Sequence, residues 1–133
     1  DEIQAAILSV KLKYLDEEIK NRRAIAHYYL ENIKNKEIEL PCSSKIKHHV
    51  WHLFVISTSK RDELQRYLLD NGVQTLIHYP IPIHLQKAYE DLGYKKGDFP
   101  VSERCCEGVL SLPMYPEINE QAIKYVVDSL ASL

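Results

Sequence analysis

Glycine is scarce in this chain, with only Gly72, Gly93, Gly97 and Gly108, each read at a helix end or turn. A loop that cradles phosphate with backbone amides needs glycines clustered within a few residues, so none can be built here. Cysteine is equally sparse: Cys42 stands alone and Cys105 and Cys106 are adjacent, a pattern that suits neither a disulfide framework nor zinc spacing. No apolar run approaches the ~20 residues that span a bilayer, and no secretory signal is present. An excess of either charge is missing too. Seventeen Lys and Arg against nineteen Asp and Glu leave a formal charge of -2 with both signs interspersed, which argues against the basic face that nucleic acid requires. The expected compartment is cytoplasmic, with no membrane and no nucleic acid among the partners.

A chain of 133 residues with 45% apolar and 27% charged content is the size and composition of a single globular domain, expected over residues 1–133. It has no initiator Met and opens on Asp1-Glu2 directly before a helical pattern. Residue 1 is therefore expected to lie inside a longer chain.

From Ile3 to Ile33 there is no Gly or Pro, and apolar residues recur at Ala5, Leu8, Leu12, Leu15, Ile19, Ala26, Tyr29 and Ile33. A second stripe runs through Ile3, Ile7, Val10 and Tyr14. These predict a helix of about thirty residues, bent or broken near Glu17 to Asn21 if anywhere. Unbroken, it would be roughly 45 Å long, more than a small domain needs, so one of its faces is expected to lean on a partner. Short strands are predicted at Glu37 to Leu40, Val50 to Ile56, Val73 to Ile77 and Val109 to Leu112. His52, inside the second, is expected in the core. Ser59 is the expected N-cap of a helix carrying Leu64, Tyr67 and Leu68 inward and stopped by Asn71-Gly72. Shorter helices are predicted at Leu85 to Leu92 and from Val101 to about Glu107, and a last one opens at Glu117 to Asn119. The fold class is α/β, an α+β-like small domain: a long first helix and a small, mostly antiparallel sheet of about three strands with helices packed on it.

The segment His78-Tyr79-Pro80-Ile81-Pro82-Ile83-His84-Leu85-Gln86 leaves the third of these strands. Its two prolines fix φ and remove backbone donors. Two imidazoles, a phenol and a carboxamide are thus displayed on a stiff loop, where domains tend to meet ligands. Neither His78 with His84 nor His48-His49-x-x-His52 has the ligand spacing of a zinc site, so no metal is assigned. Ser111 lies between leucines without a nucleophile elbow, and Cys105 and Cys106 sit in a partly apolar helix. No residue is assigned a catalytic role.

Several strings carry a resemblance: Asp1-Glu2-Ile3-Gln4-Ala5-Ala6-Ile7-Leu8 with Lys11-Leu12, Leu15, Arg22-Arg23, Ala26 and Tyr29; His49-Val50-Trp51-His52-Leu53-Phe54-Val55; Gly72-Val73; His78-Tyr79-Pro80-x-Pro82-x-His84; and Leu110-Ser111-Leu112-Pro113-Met114-Tyr115-Pro116. In this order, across essentially the whole chain, they resemble the pyridoxal-phosphate-dependent sugar-nucleotide aminotransferases of the DegT/DnrJ/StrS type, which make 3-amino or 4-amino deoxysugars.

The resemblance implies the C-terminal small domain of a fold-type I aminotransferase, with the large domain that holds pyridoxal phosphate, the Schiff-base lysine included, lying upstream of Asp1. The cofactor would belong to the full-length enzyme, and none is expected on this fragment, which should be inactive alone. The full enzyme would take a nucleotide sugar and an amino-acid amine donor and serve surface polysaccharide or glycan biosynthesis. His78, Tyr79 and His84, with Gln86, are the implied substrate-binding residues. The first helix would pack on the large domain or a dimer mate, so a homo-oligomer through that helix is expected. A stand-alone nucleotide-sugar-binding module and an inactive structural remnant remain open.

Overall fold

A computed structural model of the chain describes residues 1–42 and 49–131. The side chain of Asp1 accepts from the amides of Ile3 and Gln4 and caps helix α1, Glu2–Leu12. Negative charge there complements the helix dipole. The Lys13 and Tyr14 amides then turn back to the Val10 and Lys11 carbonyls at 3.2 and 3.0 Å, and α2 runs from Leu15 to Asn32. The break therefore falls at Lys13-Tyr14, not near Glu17 to Asn21. The charged run causes no interruption because Asp16, Glu17 and Glu18 form the first turn of α2, where acidic side chains face exposed amides.

The two helices differ in what they bury. α2 sends Ile25, Ala26 and Tyr29 into the core. α1 buries none of its residues. Ile3, Leu8 and Leu12 are 74%, 63% and 68% exposed.

The sheet has two strands rather than about three. β1, Phe54–Ser57, pairs antiparallel with β2, Val109–Leu112, with Phe54 opposite Leu112 and Ser57 opposite Val109. The segments predicted as strands on either side survive as single bridges, Glu39 to Ser57 and Leu76 to Ser111. Competing partners shorten them. The Ile38 amide turns back to Asn35, the Val73 amide to Leu68, and the Thr75 carbonyl accepts from the Gln65 carboxamide.

The run from Val50 likewise joins the ladder only at Phe54. Trp51 has φ of 51°, a left-handed conformation strained for a bulky residue. Nη1 of Arg22 then takes the Trp51, His52 and Met114 carbonyls at 3.2, 3.2 and 3.0 Å. His52 is exposed, so it is not a core histidine. The turn expected over Lys45 to His49 lies outside the described residues except for His49.

Helix α3, Arg61–Asp70, begins after Lys60, whose amide is taken by the Thr58 hydroxyl at 3.2 Å, so Ser59 is not its cap. Leu64 and Leu68 are buried, Tyr67 is half-buried, and Gly72 stops the chain with φ of 75°. Helix α4, Pro100–Gly108, runs straight into β2. Helix α5, Glu120–Ala131, buries Ile123, Val126, Val127 and Leu130. The core closes where Tyr29 of α2 meets Phe54 of β1, ring centres 4.9 Å apart, with Ile56, Leu64, Leu68, Leu110 and Leu130 fully buried around them.

Candidate functional site

The Pro-containing segment leaves the sheet at Leu76, whose bridge to Ser111 anchors it beside β2. The His78–Tyr79 peptide bond is cis. Pro82, at φ -57° and ψ 143°, is extended, and the chain then makes two tight 3₁₀ segments, Ile83–Leu85 and Lys87–Leu92, joined through an extended Gln86. The single short helix expected from Leu85 to Leu92 is thus divided. Gly93 ends the second segment with φ of 73°.

The four predicted site residues share this segment, yet their side chains have different partners. Nδ1 of His78 is 2.9 Å from the Ser111 hydroxyl. Ser111 is only 4% exposed, out of reach of a substrate carbonyl, so the pair anchors the segment to β2 and is no nucleophile with its base. Tyr79 is 70% exposed, with its ring edge-on to His78 at 5.5 Å. Gln86 donates from Nε2 to the Ile81 carbonyl at 3.2 Å, closing the loop upon itself. His84 faces inward: its Nε2 is 3.0 Å from Oε1 of Glu103, and the two side chains are 8% and 10% exposed.

Glu103 was not singled out in the sequence, where it is one acidic residue in the first turn of a helix. It takes the Gly97 amide on both oxygens, at 2.8 and 3.0 Å, and the Phe99 amide at 3.4 Å. These bonds, the Gly97 amide foremost and then those from His84 and Phe99, hold its carboxyl below the usual carboxylate range. Beside it, a cleft of about 340 Å³ is lined by Ile83, His84, Tyr89, Leu92, Tyr94, Phe99 and Ser102. Phe99 joins its walls, 4.8 Å from the His84 ring and 5.2 Å from Tyr94. Larger grooves beside α2 and α5 and beside α3 do not include the histidine segment.

Among the described residues no group of three or more His, Cys, Asp or Glu is placed to hold a metal ion. His48, part of the weighed histidine cluster, lies outside those residues.

The family model described as the DegT/DnrJ/EryC1/StrS aminotransferase family matches residues 1–131. The chain belongs to this family. Among DegT/DnrJ/EryC1/StrS relatives, it is 49% identical over 130 residues to a dTDP-3-amino-3,6-dideoxy-alpha-D-galactopyranose transaminase of Aneurinibacillus thermoaerophilus, covering 98% of this chain and 35% of that protein. It is 38% identical to a dTDP-3-amino-3,4,6-trideoxy-alpha-D-glucose transaminase of Streptomyces venezuelae, with 98% and 35% covered. In three dimensions it superposes on S. venezuelae DesV, solved in complex with a ketimine intermediate, with a TM-score of 0.94 at 38% identity, covering 99% of this chain and 36% of that one. NtdA of Bacillus subtilis, solved with bound PMP, matches with a TM-score of 0.79 at 32% identity, covering 90% and 29%. The chain spans about a third of the length of these relatives.

The family uses pyridoxal phosphate, whose chemistry requires a lysine amine within a shielded pocket and an anion seat for the phosphate. Every described lysine is exposed.

Proposed function

We propose that this chain is the C-terminal small domain of a pyridoxal-phosphate-dependent sugar-nucleotide aminotransferase and supplies the substrate-side wall of its cleft. Nucleotide sugar and amino-acid donor would be substrates of the complete enzyme. The domain alone would be inactive.

The observation that carries this is the state of Tyr79. Its phenol is 70% exposed on a segment whose neighbours are pinned, by His78 to Ser111, His84 to Glu103 and Gln86 to Ile81. A polar group held outward by a braced loop binds at low entropic cost. In this division of labour Tyr79, His78 and the cleft-lining His84 meet the sugar or diphosphate, while Gln86 acts from the base of the loop. The apolar side of α1 would be covered by the cofactor domain or by a second copy, the latter giving a homo-oligomer through that helix.

The test exchanges the matching third of the Aneurinibacillus relative for this chain and assays amino transfer to the relative's nucleotide sugar. An active hybrid, whose KM rises with Tyr79→Phe and His78→Ala, is expected. A folded, cofactor-loaded hybrid that turns over unchanged when both residues are replaced by Ala would overturn the assignment of the segment. Binding of dTDP-glucose by this chain, paired with an inactive hybrid, would favour a stand-alone binding module instead.

A further inference from the structure

Glu103 is the one charged side chain buried among the described residues, at 8% exposure. A buried carboxylate is costly unless its lone pairs are filled, and an apolar residue of similar size would usually serve stability as well. Its position on α4 brings three pieces together: its own helix, the 93–99 turn through the Gly97 and Phe99 amides, and the histidine segment through His84.

Chemistry then settles a proton. A carboxylate only accepts, so the hydrogen of the 3.0 Å contact belongs to Nε2 of His84. In the neutral ring this leaves Nδ1 as a lone pair.

We infer that Glu103 is a positioning residue that fixes the tautomer and orientation of His84, so that His84 meets a ligand as an acceptor from a hydroxyl and not as a donor to a phosphate oxygen. The cleft that His84 lines would thus offer Nδ1 to a hydroxyl donor, which on the proposed substrate-side role is a sugar hydroxyl. This use of His84 rests on the proposed substrate-side role of the segment, whereas the tautomer itself does not. Without the carboxylate, the ring gains access to the other tautomer and the Phe99 wall of the cleft loses its tie.

Two measurements separate the ideas. Nitrogen-15 correlation spectra of the histidine rings of this chain, at pH 8 and above the ordinary imidazole range of about 6.5, should show His84 as the Nε2–H tautomer. Glu103→Gln should give a mixture of tautomers with the helical circular dichroism unchanged. A wild-type His84 carrying its proton on Nδ1 overturns the inference without any variant, so a misfolded substitution cannot hide the answer. So does a tautomer that is unchanged in Glu103→Gln. In the active hybrid, Glu103→Gln should raise KM for the nucleotide sugar about tenfold with kcat within about twofold, the size expected for one lost charge-assisted bond. A KM left unchanged there overturns the functional half. If the hybrid is insensitive to Tyr79, the proposed role of the segment fails, while the ring spectra still decide the role of Glu103.

Discussion

The phenol of Tyr29 donates to the carbonyl oxygen of Pro113 at 2.9 Å, tying α2 to the residue that follows β2. Tyr29 is fully buried against Phe54, and Pro113 is half-buried, so the bond is largely shielded from water. Replacing Tyr29 by Phe keeps the ring and strands the carbonyl, at a cost of about 1–2 kcal/mol in chemical unfolding. Burial, and after it the nearby Tyr115, hold the ionisation of this phenol well above the ordinary tyrosine value. A raised native value means that the folded state keeps a proton the unfolded chain gives up. Its contribution is complete below about pH 10 and declines as the pH climbs beyond it. Urea unfolding at pH 8 and 10.5 should show a larger alkaline loss for wild type than for Tyr29→Phe.

Glu103 has the opposite sign. The Gly97 amide, with His84 and Phe99, lowers its native ionisation, so its contribution is present above the unfolded value of about 4.3 and is lost as the pH falls through the lower native one. Acid titration followed by circular dichroism should show wild type losing more stability between pH 5 and 2 than Glu103→Gln. Parallel acid curves would refute the linkage.

Gly108 ends α4 against β1. A Cβ there would sit 2.9 Å from the Ser57 hydroxyl and 3.3 Å from the Thr58 carbonyl oxygen. Gly108→Ala gains up to about 1 kcal/mol in helix propensity but forces a displacement costing about 1–3 kcal/mol. A net loss of about 1 kcal/mol is expected. Ser57→Ala in the same chain removes the nearer obstacle, so the double variant should be more stable than the sum of the single changes, a coupling readable in a double-mutant cycle.

The apolar side of α1 gives the fourth prediction. Leu8 and Leu12 are 63% and 68% exposed, so Leu8→Lys with Leu12→Lys should leave the melting temperature nearly unchanged at concentrations low enough for wild type to be monomeric. If that face associates with a second copy, light scattering of wild type at high concentration should report a dimer or larger species, and the double variant a monomer. A monodisperse wild-type monomer would count against self-association through α1.

Much of this organisation is legible along the chain. The stripe through Ala26, Tyr29 and Ile33 marked the buried side of α2, and Asn71-Gly72 marked the end of α3. The His78-to-Gln86 segment was recognisable because two prolines and four polar side chains leave a strand-like run. The helix break was misplaced because Lys13-Tyr14 contains no Gly or Pro. The sheet was overcounted because residues 37–40 and 73–77 have strand-like composition, while only Glu39 and Leu76 bond to the ladder and Glu37, Ile38, Val73 and Thr75 bond to local or side-chain partners.

By itself the sequence determined what depends on neighbours: helical stripes, stops, a stiff loop, and the ordered strings that mark the family. Those features arise from spacings of three or four residues and from residue-specific limits on φ. Only the tertiary structure decided which polar groups meet. His78 finds Ser111 thirty-three residues away and His84 finds Glu103 nineteen residues away. No local pattern encodes such pairs, because they exist only after the packing of α4 and β2 has placed both partners within hydrogen-bond reach. That packing makes one histidine an anchor to the sheet, gives the other a buried carboxylate, and leaves Tyr79 facing outward.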